Sequence, residues 1–383
     1  MDATLTHDDV GLRAAPWRPP HLAVIVPSFN ESQNVPRLYQ LVSAALAGES
    51  FEFIVVDDNS PDGTAEVVRG MAQTYPNVRI IHRIGRRGLS SAVIEGMLAS
   101  SAPYLAVIDA DLQHDETVLP EMLRRAEEGA DVVVGTRYAG SGAVGEGLSA
   151  VRERGSRLAT RLSTMLTGVK LSDPMSGFFV IRRDVFEDVA PGLSSEGFKI
   201  LLDIIVSATR FRQQSSRELK LAEVPYTFRA REAGESKMSA VVVLQFLGLL
   251  VSKFTWGILP TSFLLFGLVG ATGVIVHMSV LFLCHENFGM GFTESQLAAT
   301  LVAMTTNFFL NNELTYADKK LRGPRIWLGL LSFYAVCSIG TLANISVAQW
   351  IYSASPDLFL AGIAGVLMSV VFNYSVTRAF TWK

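Results

Sequence analysis

Asp109 and Asp111 stand one residue apart at the end of the apolar run Tyr104–Ile108. Two carboxylates so spaced past a buried strand can both reach one divalent cation, and Gln113, next on the same alternation, offers a third hard oxygen. Mg²⁺ and Mn²⁺ are commonly held by one or two carboxylates together with substrate phosphates, so the pattern points to a phosphate-bearing substrate. The competing reading is a turn whose acids cap the next helix. A second acidic pair, Asp57-Asp58, ends the run Phe53–Val56. There a carboxylate can accept hydrogen bonds from a ribose or a base. A third apolar run ends in Pro27-Ser28-Phe29-Asn30-Glu31, where Pro27 and Phe29 can line a base and Glu31 can bond its edge. In the turn Asn59–Thr64, Asp62 or Thr64 is expected to cap a helix. Neither Gly-x-Gly-x-x-Gly after the first strand nor a phosphate-loop Gly-Lys-Ser/Thr occurs, which disfavours dehydrogenases and loop-type ATPases.

The elements that must position these residues alternate. Strand-like runs at Leu22–Val26, Phe51–Val56, Val78–His82, Tyr104–Ile108 and Val132–Val134 are separated by amphipathic stretches at Val35–Ala47, Thr64–Tyr75, Leu89–Ser100 and Val118–Glu128. Such alternation predicts a mainly parallel sheet covered on both faces, with ligands at the carboxyl ends of its strands. Pro27, Asp57, Asp58, Asp109, Asp111 and Arg137 should therefore converge on one edge.

The second half of the chain is different. Of 383 residues 49% are hydrophobic, and the excess falls almost wholly after Ser239. The formal net charge of −3 offers no basic field for nucleic acid. Cys284 and Cys337 lie in apolar surroundings and form neither a disulfide framework nor a zinc site. Residues 1–20 are polar, carry Asp8-Asp9 and lack the apolar core of a signal peptide, and read as a flexible tail. Ala240–Val251 is apolar nearly all round but is bounded by Lys237 and Lys253, too short for a span of about 20 residues. An interfacial helix over 238–257 is expected instead. Four longer apolar runs follow, at about 258–283, 296–316, 327–352 and 358–378; Asn307, Asn311, Asn312 and Glu313 make the end of the second polar. Lys319, Lys320, Arg322 and Arg325 crowd the connection after the second run, and Arg378 and Lys383 close the chain. The first and third connections carry Glu286, Glu294 and Asp357 and no Lys or Arg. The positive-inside rule predicts that both termini and the α/β domain are cytoplasmic; the plasma (inner) membrane is the expected location. Asn307-Phe308 with Thr315-Tyr316 is echoed, at the same spacing, by Asn373-Tyr374 with Thr381-Trp382, which suggests a duplicated helix pair.

From Ala23 to Lys237 these residues resemble the family-two glycosyltransferases of GT-A fold, most closely the dolichol-phosphate mannose synthases. The resemblance is carried by Pro27–Glu31, Val56–Thr64, Gly88–Ala92, Asp109–His114, Gly135–Tyr138, Ser176–Phe178, Gly197–Leu202 and Gly234–Lys237. The terminal spans look like the GtrA-type four-helix membrane domain. The implied architecture is an α/β GT-A nucleotide-sugar domain with a mainly parallel mixed sheet over 21–237, the interfacial helix, and four transmembrane helices over 258–383. The implied activity is inverting transfer of a hexose from a nucleotide sugar, GDP-mannose or alternatively UDP-glucose, to a polyprenyl (dolichyl) phosphate. On this resemblance Asp109, Asp111 and Gln113 would bind Mg²⁺ or Mn²⁺. Pro27, Phe29, Glu31, Val56, Asp58 and Ala110 would hold the nucleotide alongside the metal ligands. Arg137, Arg152, Ser156, Arg231 and Lys237 would meet the diphosphate or the acceptor phosphate, with Arg154 and Arg157 as neighbours in register. Asp111, Arg137 and Lys237 are the expected catalytic residues.

A phosphate monoester is already anionic at neutral pH, so transfer to it needs no dedicated general base. Asp203 and Glu196 are the lesser candidates for one. Gly140–Gly147 reads as a long loop or a substrate-ordered lid. His114 is expected beside the metal ligands or at a helix start rather than on the metal. A processive polysaccharide synthase is disfavoured because no Gln-x-x-Arg-Trp follows the core. The other competing readings are a lipid-sugar translocation scaffold and a regulatory nucleotide-binding protein without turnover.

Overall fold

The structure, a computed structural model, describes residues 19–137, 171–194, 200–214, 217–229, 261–316, 319–355 and 358–382. The chain divides into two compact units, one built on a sheet and one on the C-terminal helices. The expected contacts of Arg152, Ser156, Arg231 and Lys237, the loop Gly140–Gly147, Glu196, residues 1–18 and the segment 238–257 all lie outside the described residues.

In the first unit β1 (Leu22–Ser28), α1 (Asn34–Ala45), β2 (Phe51–Asp57), α2 (Thr64–Thr74), β3 (Val78–His82), α3 (Leu89–Leu98), β4 (Tyr104–Val107), α4 (Leu119–Glu127) and β5 (Val132–Thr136) follow the expected alternation. Then come β6 (Phe179–Arg182), α5 (Arg183–Val189), α6 (Ile200–Gln214) and β7 (Leu221–Pro225). The sheet order is β3-β2-β1-β4-β6-β5-β7, and only β6 runs against its neighbours. β1 is buried along its whole length because both faces are covered. Leu22, Val24 and Val26 face one core with Val35, Leu38 and Val42 of α1 and Met122 of α4. Ala23 and Ile25 face the other, with Val93 of α3, Phe186 of α5 and Ile204 of α6. That is the period-2 alternation of a strand between two helix layers.

β2 lies on one side of β1 and β4 on the other, so the strand order reverses between them. The carboxyl ends flanking such a switch point form the crevice of an open α/β sheet. Ser28 is opposite Asp57, and Val107 is opposite Ile25, so Asp109 comes out of the sheet level with Pro27. Pro27 and Asp57 belong to the last residues of their strands rather than to the loops beyond.

The second unit contains α7 (Thr261–Phe282), α8 (Phe292–Leu310), α9 (Arg325–Ala354) and α10 (Leu358–Phe380). The segments Ser262–Asn287 and Arg325–Ile351 are long and apolar enough to cross a membrane. α7 and α8 each continue into a wide π turn, Leu283–Asn287 and Asn311–Thr315. The two helix pairs repeat the same contacts. Asn307 of α8 sits against Gly273 of α7, and Asn373 of α10 sits against Gly340 of α9. Phe266 meets Tyr374 with ring centroids 5.8 Å apart, and Phe333 meets Phe308 at the same distance. At the end of each second helix the backbone closes over five residues, Tyr316 to Asn311 and Trp382 to Thr377. The rings of Tyr316 and Trp382 then stack 4.2 Å apart, and the Trp382 indole donates to Asn312.

Helices in lipid associate through small residues that let backbones approach, and Gly273 and Gly340 are seats of that kind. A Cβ at either would collide with the facing asparagine, whereas Gly270 meets nothing. Gly273→Leu and Gly340→Leu are each expected to cost about 1–3 kcal/mol of stability in detergent by overpacking. Gly270→Leu should leave the melting temperature near that of the unaltered protein. Equal melting temperatures for all three would refute the seating.

Candidate active site

Three non-glycine residues have positive φ: Asn30 at 60°, Asn59 at 56° and Leu112 at 60°. They follow the carboxyl ends of β1, β2 and β4, three adjacent strands. Backbone of this kind costs of order 1–3 kcal/mol and gathers at functional sites. Leu112 stands between Asp111 and Gln113, and its side chain is buried in the core beside Leu119 and Met122, which holds the turn.

The loops after β1 and β2 are tied together by side chains. The Ser60 hydroxyl donates to Asp57 at 2.5 Å and accepts from the Asn30 amide at 2.9 Å, joining the β2 loop to the β1 loop. Asp62 accepts from the Thr64 amide at 3.1 Å and hydroxyl at 2.6 Å and from the Ser32 amide at 3.0 Å. The N-cap of α2 is Gly63, with no side-chain cap bond, so neither Asp62 nor Thr64 is the cap expected; Asp62 ties the turn together from one residue earlier. Burial pushes the Asp62 carboxyl up, but hydrogen bonds from Thr64 and Ser32 outweigh it and hold its pKa below the ordinary value. A depressed carboxylate contributes stability above its unfolded pKa and loses it as the pH falls through the folded one, so the turn loosens only in acid. Glu31 accepts from Asn34 at 2.7 Å, and its own amide donates to Thr64. Phe29 and Glu31 are half-buried, whereas Pro27 is buried and Val56 lies wholly within the second core.

Asp58 is held by a residue outside the set expected from the sequence. Arg83, 1% exposed, donates to Asp58 at 2.6 Å and to Ser91 at 2.5 Å, and its Nε lies 3.4 Å from Glu95. Arg83 directly follows β3, so the same logic applied to the third strand would have found it.

Beyond β4, Asp109 is half-buried, and its Oδ2 lies 3.2 Å from His114 Nε2. Asp111 Oδ1 accepts from the Gln113 amide at 3.2 Å. The Gln113 side-chain nitrogen donates to the Arg229 carbonyl at 3.3 Å, which turns its carbonyl oxygen the other way. The Arg229 amide donates in return to the Gln113 carbonyl at 2.9 Å. The Arg229 guanidinium bonds Glu116 at 2.7 Å and Asp115 at 3.0 Å. Gly177 backs Asp109 so closely that a Cβ there would lie 2.5 Å from Oδ2 and 3.0 Å from Cγ and Oδ1. Among the described residues no group of three or more His, Cys, Asp or Glu could hold a metal. Two carboxylates and an amide carbonyl are instead the hard, incomplete donor set that Mg²⁺ or Mn²⁺ shares with substrate phosphate. The residues present fit such an ion.

Arg137 is braced rather than loose. It forms a bidentate pair with buried Asp173, at 2.7 and 3.1 Å, and its guanidinium lies 5.0 Å from the Phe228 ring centroid. Asp173, Tyr226, Phe228 and Arg229 carry no signal in the sequence alone, because none of them follows one of the five strands expected from it. Asp203, a lesser base candidate, is buried in α6 and accepts from Ser207 at 3.2 Å.

Residues 23–190 match the family described as Glycosyl transferase family 2, and residues 265–382 match the GtrA/DPMS transmembrane domain. A dolichol-phosphate mannosyltransferase of Pyrococcus furiosus is 32% identical over 94% of this chain and 99% of its own length. The chain belongs to the dolichol-phosphate mannosyltransferase family. The proteins of that name from Mycosarcoma maydis and Saccharomyces cerevisiae are 37% and 34% identical, over 64% and 70% of this chain and 84% and 98% of their own. The present chain is accordingly a glycosyltransferase, and its C-terminal domain makes it a membrane protein.

Gly177→Ala tests the cradle. Its backbone conformation admits alanine, but the methyl must displace the Asp109 carboxylate. A misplacement of about 1 Å is enough for roughly 10²-fold in turnover. The variant is expected to keep its melting temperature and lose activity on that scale; unchanged turnover would refute the contact.

Proposed function

We propose that the protein transfers mannose from GDP-mannose to a polyprenyl (dolichyl) phosphate, with inversion, at the cytoplasmic face of the plasma (inner) membrane. The observation that carries this is the occurrence, in one chain matching a dolichol-phosphate mannosyltransferase end to end, of a strand-end acidic site and an apolar helical domain. The proposed division is a tail over 1–20, the catalytic domain over 21–237, an interfacial helix over 238–257 and four membrane-spanning helices over 258–383. The loop charges support cytoplasmic termini.

Asp109, Asp111 and Gln113 would hold the cation, and Pro27, Phe29, Glu31, Val56, Asp58 and Ala110 the nucleotide. Val56 and Pro27, being buried, would contribute backbone and packing rather than exposed side chains. A bound Mg²⁺ or Mn²⁺ supplies positive charge against the diphosphate that leaves. Arg137, pre-oriented by Asp173, presents its charge to the phosphates without reorganising, the condition under which electrostatic stabilisation is most effective. Arg152, Ser156, Arg231 and Lys237 complete the set proposed for the acceptor phosphate. The acceptor oxygen arrives deprotonated, so the site's task is to hold two like-charged phosphates together rather than to remove a proton.

The test is purified protein or membranes containing it, given a polyprenyl phosphate and a panel of nucleotide sugars with Mg²⁺ or Mn²⁺. Mannosyl lipid from GDP-mannose, lost on chelation, is expected. Glucosyl lipid from UDP-glucose in its place would reassign the donor, and no lipid product from any donor would sink the reading.

A further inference from the structure

His114 is buried at the start of the segment leading to α4, yet both of its ring nitrogens have partners. Nε2 lies 3.2 Å from Asp109 Oδ2, and Nδ1 lies 2.7 Å from the Tyr226 hydroxyl. The ring is enclosed by Phe178, Tyr226 and Phe228, with centroids 5.3, 5.6 and 5.8 Å away. A carboxylate cannot donate, so Nε2 carries the proton that goes to Asp109. Burial drives the Tyr226 phenol far above its ordinary pKa, with Arg137 opposing and Asp173, Asp109 and Asp111 adding to the rise. A neutral phenol can donate to Nδ1, and one directional chain then runs from Tyr226 through His114 to Asp109.

We infer that His114 is a positioning residue for the cation site: held by Tyr226, it occupies one lone pair of Asp109 Oδ2 and fixes the carboxylate against Gly177. This rests on the reading of Asp109 as a cation ligand. Its consequence is selective. Mg²⁺ and Mn²⁺ in octahedral sites take one oxygen from each carboxylate, whereas Ca²⁺ accepts six to eight oxygens and readily takes carboxylates in bidentate mode. With Oδ2 committed to His114, Asp109 offers a single well-aimed oxygen. The device therefore favours the smaller, more demanding ions, and its loss should weaken Mn²⁺ more than Ca²⁺.

The test uses the full-length protein in detergent with Mn²⁺ as the probe. Binding is read by electron paramagnetic resonance with saturating GDP and again with UDP, and Ca²⁺ is the competitor. His114→Phe keeps a ring in the aromatic enclosure and removes both nitrogens. His114→Gln keeps a donor, and Tyr226→Phe removes one hydroxyl. Partners of metal ligands are typically worth 10–100-fold in affinity, and a Mn²⁺ loss of about that size is expected for His114→Phe. Substantial recovery in His114→Gln, a smaller loss in Tyr226→Phe and easier displacement by Ca²⁺ in His114→Phe should accompany it. A purely packing role would leave the glutamine variant no better than the phenylalanine one, and that result would overturn the inference. So would unchanged Mn²⁺ affinity in His114→Phe or, should that variant not fold, in Tyr226→Phe. If the unaltered protein retains no Mn²⁺ with either nucleotide, the assignment of Asp109 as a ligand falls instead, and this inference with it.

Discussion

Asp111→Ala is expected to lower metal-dependent sugar transfer by about 10³-fold while the fold survives. Asp111 lies in a loop beyond β4, half-buried, so its loss opens no core cavity. What disappears is half of the carboxylate pair, and removing a single preorganised electrostatic contact in a water-excluded site already costs about 10²–10³. The measurement is transfer of labelled mannose to polyprenyl phosphate across a Mn²⁺ series, with a melting curve beside it. Turnover within a few per cent of normal at any Mn²⁺ concentration, with normal melting, would refute the assignment. Recovery only at high Mn²⁺ would mark Asp111 as an affinity contact rather than part of the reacting geometry.

Arg83→Met should cause a large loss of stability in the sheet unit. Arg83 is nearly inaccessible, and its partner Asp58 has a side chain only 11% exposed. Removing one member of such a pair leaves a buried charge without its main compensation and typically costs about 3–5 kcal/mol. An exposed arginine gives the comparison: Arg69, paired with Glu66 at the surface, should cost less than about 1 kcal/mol when replaced by methionine. A double-mutant cycle of Arg83→Met with Asp58→Asn separates the pair's coupling from lost packing, since asparagine removes the stranded charge. If Arg83→Met melts no lower than Arg69→Met, the pair does not hold the β3 end as described.

The first five strands and the four helices among them were legible because the signals were local. β1, β2, β4 and β5 are near-continuous runs of Val, Ile and Leu, as strands buried on both faces must be. β6 and β7 were outside the expected set. β6 lies in an apolar run, Phe178–Ile181, that is cut off at once by Arg182-Arg183-Asp184, and β7 is an edge strand that carries half-buried Glu223 among its apolar residues. Their absence from the expectation hid half of the site. β6 inserts between β4 and β5, and the segment after β7 lies against Gln113 and His114. Asp109, Asp111 and Gln113 could be found from their distance past an apolar run. Arg83, Asp173 and Tyr226 could not be assigned roles without knowing which strands are neighbours. In the helical unit the echo of Asn307-Phe308 in Asn373-Tyr374 was visible as spacing, but the glycines facing those asparagines on the preceding helices were not.

The bonds that close the site also fix when it can exist. Gln113 and Arg229 are 116 residues apart in the chain, and His114 and Tyr226 are 112 apart. Contacts at such separation form only after the intervening loop has been closed, which is the slow step in topologies of this kind. During synthesis the two aspartates emerge early and remain unframed until β7 and the residues behind it have been made. A fragment ending before Leu221 would carry every strand-end acid and still lack the contacts of Tyr226 with His114 and of Arg229 with Gln113. The helices from Thr261 onward come later still, so the last contributor to the described site is translated before the first long apolar helix. The acidic pair is thus old in the order of translation and young in the order of assembly.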